Sequence, residues 1–127
     1  ANPFAALNFH WKTLGRAIRI EGRTAKVSDA ESDAYFATRS RGSRIGAWAS
    51  QQSRPLESRT MLKKAVTAIE EQYKDTADIP RPPHWYGTRV IPEKIEFWHN
   101  GDHRLHTRLL YARESDTAPW SKHMLYP

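Results

Sequence analysis

The alternation of apolar and polar positions divides the chain into strands, then helices, then strands. Residues Pro3 to His10 (PFAALNFH) read as a buried strand, with Trp11 and Lys12 opening a turn. From Arg16 to Val27, Ile18, Ile20 and Gly22 oppose Arg19, Glu21 and Arg23. That is the period of a half-buried strand, with a kink expected at Gly22. Ser28-Asp29-Ala30-Glu31 is a capping-box pattern, in which each side chain accepts the other residue's backbone N–H. The helix it starts should run to about Arg39, and a second helical piece, Ser43 to Ser50, follows Gly42.

A polar stretch, Gln51 to Pro55, comes next. Ser58 to Lys74 is the longest helical pattern, with Leu62, Ala65, Val66, Ile69 and Tyr73 as its apolar stripe. Pro80-Arg81-Pro82-Pro83 must be an extended connector, because proline fixes φ and restricts its predecessor. Three strands close the chain, around Thr88 to Trp98, Leu105 to Arg113 and Trp120 to Leu125. Asn100-Gly101 is a hairpin signal between the first two. This order predicts an α+β class, mainly antiparallel, as one domain over residues 1–127 or as a partial barrel.

Composition narrows the classes. A chain of 127 residues, 39% hydrophobic and 27% charged, is globular with a modest core. There is no cysteine, so neither a disulfide framework nor a thiolate metal site is available. No apolar run is long enough to span a bilayer, so no membrane role is expected and the cytoplasm is the default compartment. The formal charge of +6 favours anionic partners. The first residue is Ala1, which reads as a processed chain or a fragment.

Candidate chemistry concentrates in Ile95 to Tyr111 (IEFWHNGDHRLHTRLLY). On a strand, Arg104, His106 and Arg108 would share one face. Two guanidiniums and an imidazole there suit an anionic, planar ligand, or form the solvated edge of a sheet. Trp98 would share a face with Arg104 only if a five-residue connection, and not a two-residue turn, follows it. Tyr35, Arg39 and Ser43 are four apart and would line one helix face if the helix held across Gly42. A phenol, a guanidinium and a hydroxyl can cradle phosphate; the bland alternative is a surface Arg with a packed Tyr and a capping Ser. Gln52 and Ser53 lie in the polar stretch, where a loop can present amide and hydroxyl groups. The six histidines show no ligand pattern, so no metal is expected. Aromatic residues interleaved with Arg would suit single-stranded nucleic acid, but no RNA-binding signature accompanies them.

Three segments in this order carry a resemblance: SDAYFATRSRGSRIGAWASQQS, PRPPHWYGTRVIPEKIEFW and RLHTRLLYARE. They resemble the pyridoxamine 5'-phosphate oxidase family over nearly the whole chain. The resemblance implies an FMN-binding split β-barrel, a homodimer with flavin sites at its interface. It implies oxidation of pyridoxamine or pyridoxine 5'-phosphate to pyridoxal 5'-phosphate, with O2 as acceptor and H2O2 as product. Tyr35, Arg39 and Ser43 match the family's phosphate-holding residues. Arg104 and His106 match the Arg and His set against the pyridine ring near the reacting carbon. Gln52, Ser53, Trp98 and Arg108 match flavin contacts.

The sequence also departs from the family. The family's longer N-terminal part, with strands that bind the FMN phosphate, is expected to be missing. Ala17 stands where a flavin-contacting Gln is usual, and Thr107 where RLHDR has an acid. WYGT (Trp85 to Thr88) and MLYP replace WGGY-like and RLAP-like segments. A barrel without its early strands exposes unpaired edges. Three accounts stay open: a fragment of a longer enzyme, a barrel completed by another chain, or a relative that no longer binds flavin. Other functions left open are a non-catalytic flavin or pyridoxal-phosphate binder and a basic nucleic-acid module.

Overall fold

The computed structural model describes residues 2–127. The chain divides into two compact units. One runs up to Lys26 and resumes at Thr88; the other is Val27–Gly87.

The first unit is a five-stranded antiparallel sheet of β1 (Phe4–Trp11), β2 (Arg16–Lys26), β3 (Thr88–His99), β4 (Thr107–Ala112) and β5 (Ser121–Leu125). Its strands lie side by side in chain order. The register sorts the side chains by chemistry. Phe9 pairs with Ile18, Ile18 with Phe97, Phe97 with Leu109 and Leu109 with Met124, making an apolar face. On the other face Asn8 pairs with Arg19, Arg19 with Glu96, Ala17 with Trp98 and Trp98 with Arg108. β1 is a strand as expected but not a buried one, and Phe9 is 45% exposed. It ends the strand order and pairs with β2 alone among the described strands.

The kink expected at Gly22 is a bulge. The β2–β3 register shifts between Glu21 and Gly22, which pair with Lys94 and Pro92, so Glu93 is the extra residue. Pro92 has no N–H to give the ladder, and a bulge is where a strand tolerates it. Gly22 is buried, and a Cβ there would lie 1.9 Å from the Ile91 carbonyl oxygen.

The β3–β4 connection corrects two expectations. Asn100-Gly101 is not a two-residue turn. The connection occupies residues 100–106 and contains a 3-10 segment, Asp102–Arg104. Arg104, His106 and Arg108 therefore do not alternate along one strand. Arg104 sits in that segment with φ 65, His106 precedes β4, and only Arg108 lies on it. His103 adopts φ 54, so two successive non-glycine residues hold a left-handed conformation that costs roughly 1–2 kcal/mol each. Strand spacing cannot carry across such a turn.

The second unit holds α1 (Asp29–Ala37), α2 (Arg41–Ala49) and α3 (Arg59–Gln72). The capping box forms as predicted. Glu31 N–H donates to Ser28 Oγ and Ser28 N–H to Glu31 Oε2, both at 3.2 Å. The expected single face for Tyr35, Arg39 and Ser43 does not form, because the helix breaks between Ala37 and Arg41. Ser40 caps the new helix by accepting from Ser43 N–H at 3.3 Å, and Gly42 lies inside it. Phe36, Ile45, Ile79 and Ser32 are the buried centre of this unit. Arg41 fastens α2 to the end of α3 by donating to the carbonyls of Tyr73 (2.6 Å) and Thr76 (2.7 Å). Residues 80–82 form no regular element, as the prolines require. Among the described residues no helix is long and apolar enough to cross a membrane.

Candidate functional site

The helical unit carries an open cavity of about 1030 Å³. Arg39, Ser43, Gln52, Arg54, His84 and Trp85 are among the residues that line it. Arg39 reaches it from the α1–α2 break, and Ser43 from the first turn of α2. The Arg39 guanidinium lies 5.1 Å from the Trp85 ring centre and 5.6 Å from that of Phe36. Its Nη1 is buried and has no hydrogen-bond partner. An unsatisfied buried donor costs about 1–3 kcal/mol, which a bound anion would recover. Trp85 is itself held. Its carbonyl accepts from Arg81 Nη1 at 2.6 Å, and Arg81 Nε donates to Asp33 Oδ1 at 2.6 Å. Tyr35, 65% exposed, stacks on Trp85 with ring centres 6.1 Å apart. The helix break thus separates Tyr35 from Ser43 in sequence geometry, while Trp85 joins Tyr35 to Arg39. Gln52 is on the cavity wall, whereas Ser53, with φ 64, lines a neighbouring recess with Leu56 and Met61.

The sheet unit carries a second recess, of about 330 Å³, on its polar face. Ala17, Glu96, Trp98, His106, Arg108 and Pro127 line it. Trp98 and Arg108 are direct cross-strand partners, and the His106 ring is 4.7 Å from that of Trp98. Arg108 is fixed at three points. Its Nε donates to Glu96 Oε1 at 2.7 Å, its Nη2 to Glu96 Oε2 at 3.1 Å, and its Nη1 to the Tyr126 carbonyl at 3.0 Å. Hydrogen bonding from Arg108, with the charges of Arg108 and Arg19, holds the Glu96 carboxyl below the usual carboxylate range against the opposing effect of burial. The same bond raises Arg108. Arg104 is exposed and is not among the residues lining this recess.

The turn orients the His106 ring. Gly101 N–H donates to its Nδ1 at 3.3 Å, an arrangement that favours the tautomer with hydrogen on Nε2. The turn depends on Gly101, where a Cβ would meet the Leu105 carbonyl oxygen at 2.1 Å. Gly101→Ala should therefore displace residues 101–106 and release His106. Imidazole 15N NMR checks this: shifts moving toward a tautomer mixture are expected, and an unchanged Nε2–H pattern would refute the lock.

Sequence reasoning passed over four of these residues. Glu96 had a signal, a carboxylate flanked by Ile95 and Phe97 in the apolar stretch that ends the strand. His84 and Trp85 lie in a segment that carries the resemblance, with no role implied for either, and Arg54 has no signal beyond its charge. Among the described residues no group of three or more His, Cys, Asp or Glu is arranged to hold a metal ion.

Two family models match the chain, one in its N-terminal and one in its C-terminal part. Residues 1–73 match the family model described as pyridoxamine 5'-phosphate oxidase. Residues 85–127 match the pyridoxine 5'-phosphate oxidase C-terminal dimerisation region. Proteins named pyridoxine/pyridoxamine 5'-phosphate oxidase from Brucella canis and Brucella suis are 57% identical over 123 residues, 97% of this chain and 60% of theirs. The chain thus spans about 60% of the length of these curated relatives. The structure of PhzG from Burkholderia lata 383, in complex with tetrahydrophenazine-1-carboxylic acid, superposes with a TM-score of 0.85 at 30% identity, covering 98% of this chain and 59% of that one. A pyridoxamine 5'-phosphate oxidase-related, FMN-binding protein from Nostoc punctiforme PCC 73102 has a TM-score of 0.68 at 16% identity, covering 98% and 63%. The expected α+β split-barrel fold is borne out by these neighbours. The chain belongs to the pyridoxamine 5'-phosphate oxidase family.

Proposed function

We propose that the chain provides phosphate-, ring- and flavin-binding residues of an FMN-dependent oxidase. Its substrate is pyridoxamine or pyridoxine 5'-phosphate, its product pyridoxal 5'-phosphate, and O2 is its acceptor. The observation that carries the reading is the buried, unpartnered Nη1 of Arg39 beside Ser43 in the helical unit's cavity. A phosphate group supplies the acceptor that this donor lacks. Tyr35, Arg39 and Ser43 take the phosphate. Arg104 and His106 orient the pyridine ring, His106 as an Nε2–H donor. Gln52, Ser53, Trp98 and Arg108 hold the flavin.

The residues present fit FMN. The sheet recess offers the Trp98 indole and the Arg108 guanidinium side by side, an aromatic surface next to hydrogen-bond donors. FMN, where bound, would supply the two-electron redox chemistry: the hydride removed from the substrate, with one proton from solvent, reduces O2 to H2O2. The residues of this chain contribute binding and orientation. Homodimerisation and a cytoplasmic setting belong to the same reading. The match of residues 85–127 to a dimerisation region supports the former.

The test is titration with FMN followed by pyridoxine 5'-phosphate and then pyridoxamine 5'-phosphate. Saturable flavin binding with peroxide released on substrate addition is the expected result. No flavin binding overturns the reading. Binding without peroxide points instead to a non-catalytic binder of the same fold.

A further inference from the structure

The two candidate ligand-binding arginines differ in how their charge is compensated. Arg39 has no carboxylate partner among the described residues and leaves Nη1 buried without a hydrogen bond. Arg108 is engaged by both oxygens of Glu96, whose side chain is 13% exposed, and by the Tyr126 carbonyl. An uncompensated guanidinium attracts a dianion at any approach angle. A guanidinium already paired with a carboxylate carries almost no net charge to an incoming ligand. What remains are N–H groups of fixed direction, suited to neutral acceptors.

The surroundings of Arg108 agree. Its cross-strand partner Trp98 gives the recess an aromatic wall, and Lys94, on the same strand face, lines the neighbouring recess and not this one. Arg19, the other arginine lining the recess, is paired with Glu21. A site with an aromatic wall, directional donors and little net charge fits a flat heteroaromatic ring with carbonyl groups better than a phosphate.

We propose that Glu96 is the positioning residue that fixes Arg108 as a charge-compensated donor, so that Arg108 reads the uncharged carbonyl and nitrogen edge of the flavin ring and not the flavin phosphate. The proposal rests on the reading of Arg108 as a flavin contact. Glu96 acts on the ligand through Arg108, since both of its carboxylate oxygens accept from that guanidinium.

Two flavins separate the possibilities. FMN and riboflavin share the ring, and only FMN has the phosphate. Dissociation constants for both come from quenching of flavin fluorescence on the full chain and on Glu96→Gln and Glu96→Asp. Glu96→Gln removes the compensating charge and one of the two acceptors, so Arg108 loses its orientation. Both flavins should bind about tenfold more weakly, by the same factor, the worth of one charge-assisted hydrogen bond. At saturation the absorption band of the bound flavin should shift, because the ring's hydrogen bonding has changed. Glu96→Asp, which keeps the charge, should recover part of the loss. A general loss of sheet stability would not move the spectrum of the fully bound flavin.

Unchanged affinity for both flavins in Glu96→Gln overturns the proposal alone. So does a change confined to FMN, which would assign Arg108 to the phosphate. Failure of the unsubstituted chain to bind either flavin overturns the functional reading, and this inference with it.

Discussion

Arg39→Ala should raise KM for a phosphorylated vitamin B6 substrate by on the order of 30- to 100-fold, the loss expected for charge-assisted hydrogen bonds to phosphate. The effect should be selective. Removing the guanidinium leaves Trp85 held by Arg81, and Arg39 makes no hydrogen bond to Gln52, Ser53, Trp98 or Arg108 among the described residues, so FMN affinity should stay within about twofold of the unsubstituted value. Unphosphorylated pyridoxine is the control, because it has nothing for Arg39 to bind and its weak binding should not change. Arg39→Lys should recover only part of the loss. It keeps the charge but gives up the planar fork that also stacks on Trp85. Steady-state KM for the phosphate ester and its dephospho analogue decides the matter. A parallel rise in both, or no rise in either, would remove Arg39 from the phosphate site.

Gly22→Ala should be the most damaging single-methyl change in the sheet. The added carbon would lie 1.9 Å from the Ile91 carbonyl oxygen, 2.8 Å from its carbon and 2.9 Å from Pro92 Cα. All three are backbone atoms, so no rotamer change relieves the clash. The strands must separate at the point where Pro92 already denies the ladder a donor. We expect a loss of about 3 kcal/mol, or roughly 10 °C in Tm, at the upper end of overpacking costs. Thermal unfolding followed by circular dichroism measures it. A shift of under about 2 °C would mean that the bulge tolerates a side chain.

What was legible in the sequence was local. The Ser28–Glu31 box needs only four residues, and it forms as read. The break at Gly22 was legible because glycine in an alternating strand has few other uses. Most of the α3 stripe was legible because helical period and helical packing coincide: Ala65, Val66, Ile69 and the cap residue Tyr73 are half-buried, while Leu62 is exposed. The reading failed where a residue's conformation is set by something distant in the chain or by competition between two caps. Asn100-Gly101 has the composition of a tight turn, yet Gly101 is required by its approach to Leu105, and the chain needs residues 100–106 to arrive at Trp98 opposite Arg108. Ser40 and Ser43 are three apart, a capping signal that marks the start of α2, whereas Gly42 sits inside the helix and marks no boundary. Of the candidate site, the residue types were legible and their mounts were not. Glu96 and Trp85 hold Arg108 and Arg39 by contacts that no spacing rule announces.

The pairing of β2 with β3 has a consequence for the order in which the chain folds. These strands are neighbours in the sheet, yet residues 27–87 separate them, and closing a loop of about 60 residues costs roughly 3–4 kcal/mol in chain entropy beyond its constant part. The helical unit lowers that cost if it forms first. Its own two ends are tied, with Val27 N–H donating to the Gly87 carbonyl at 3.0 Å, and this brings Lys26 and Thr88 into the register they hold in the finished sheet. Nucleation in the helices, followed by zipping of β2 onto β3 from Lys26 toward Arg16, is the route of lowest entropic cost. The insertion between the strands thus acts as the clasp that starts the sheet.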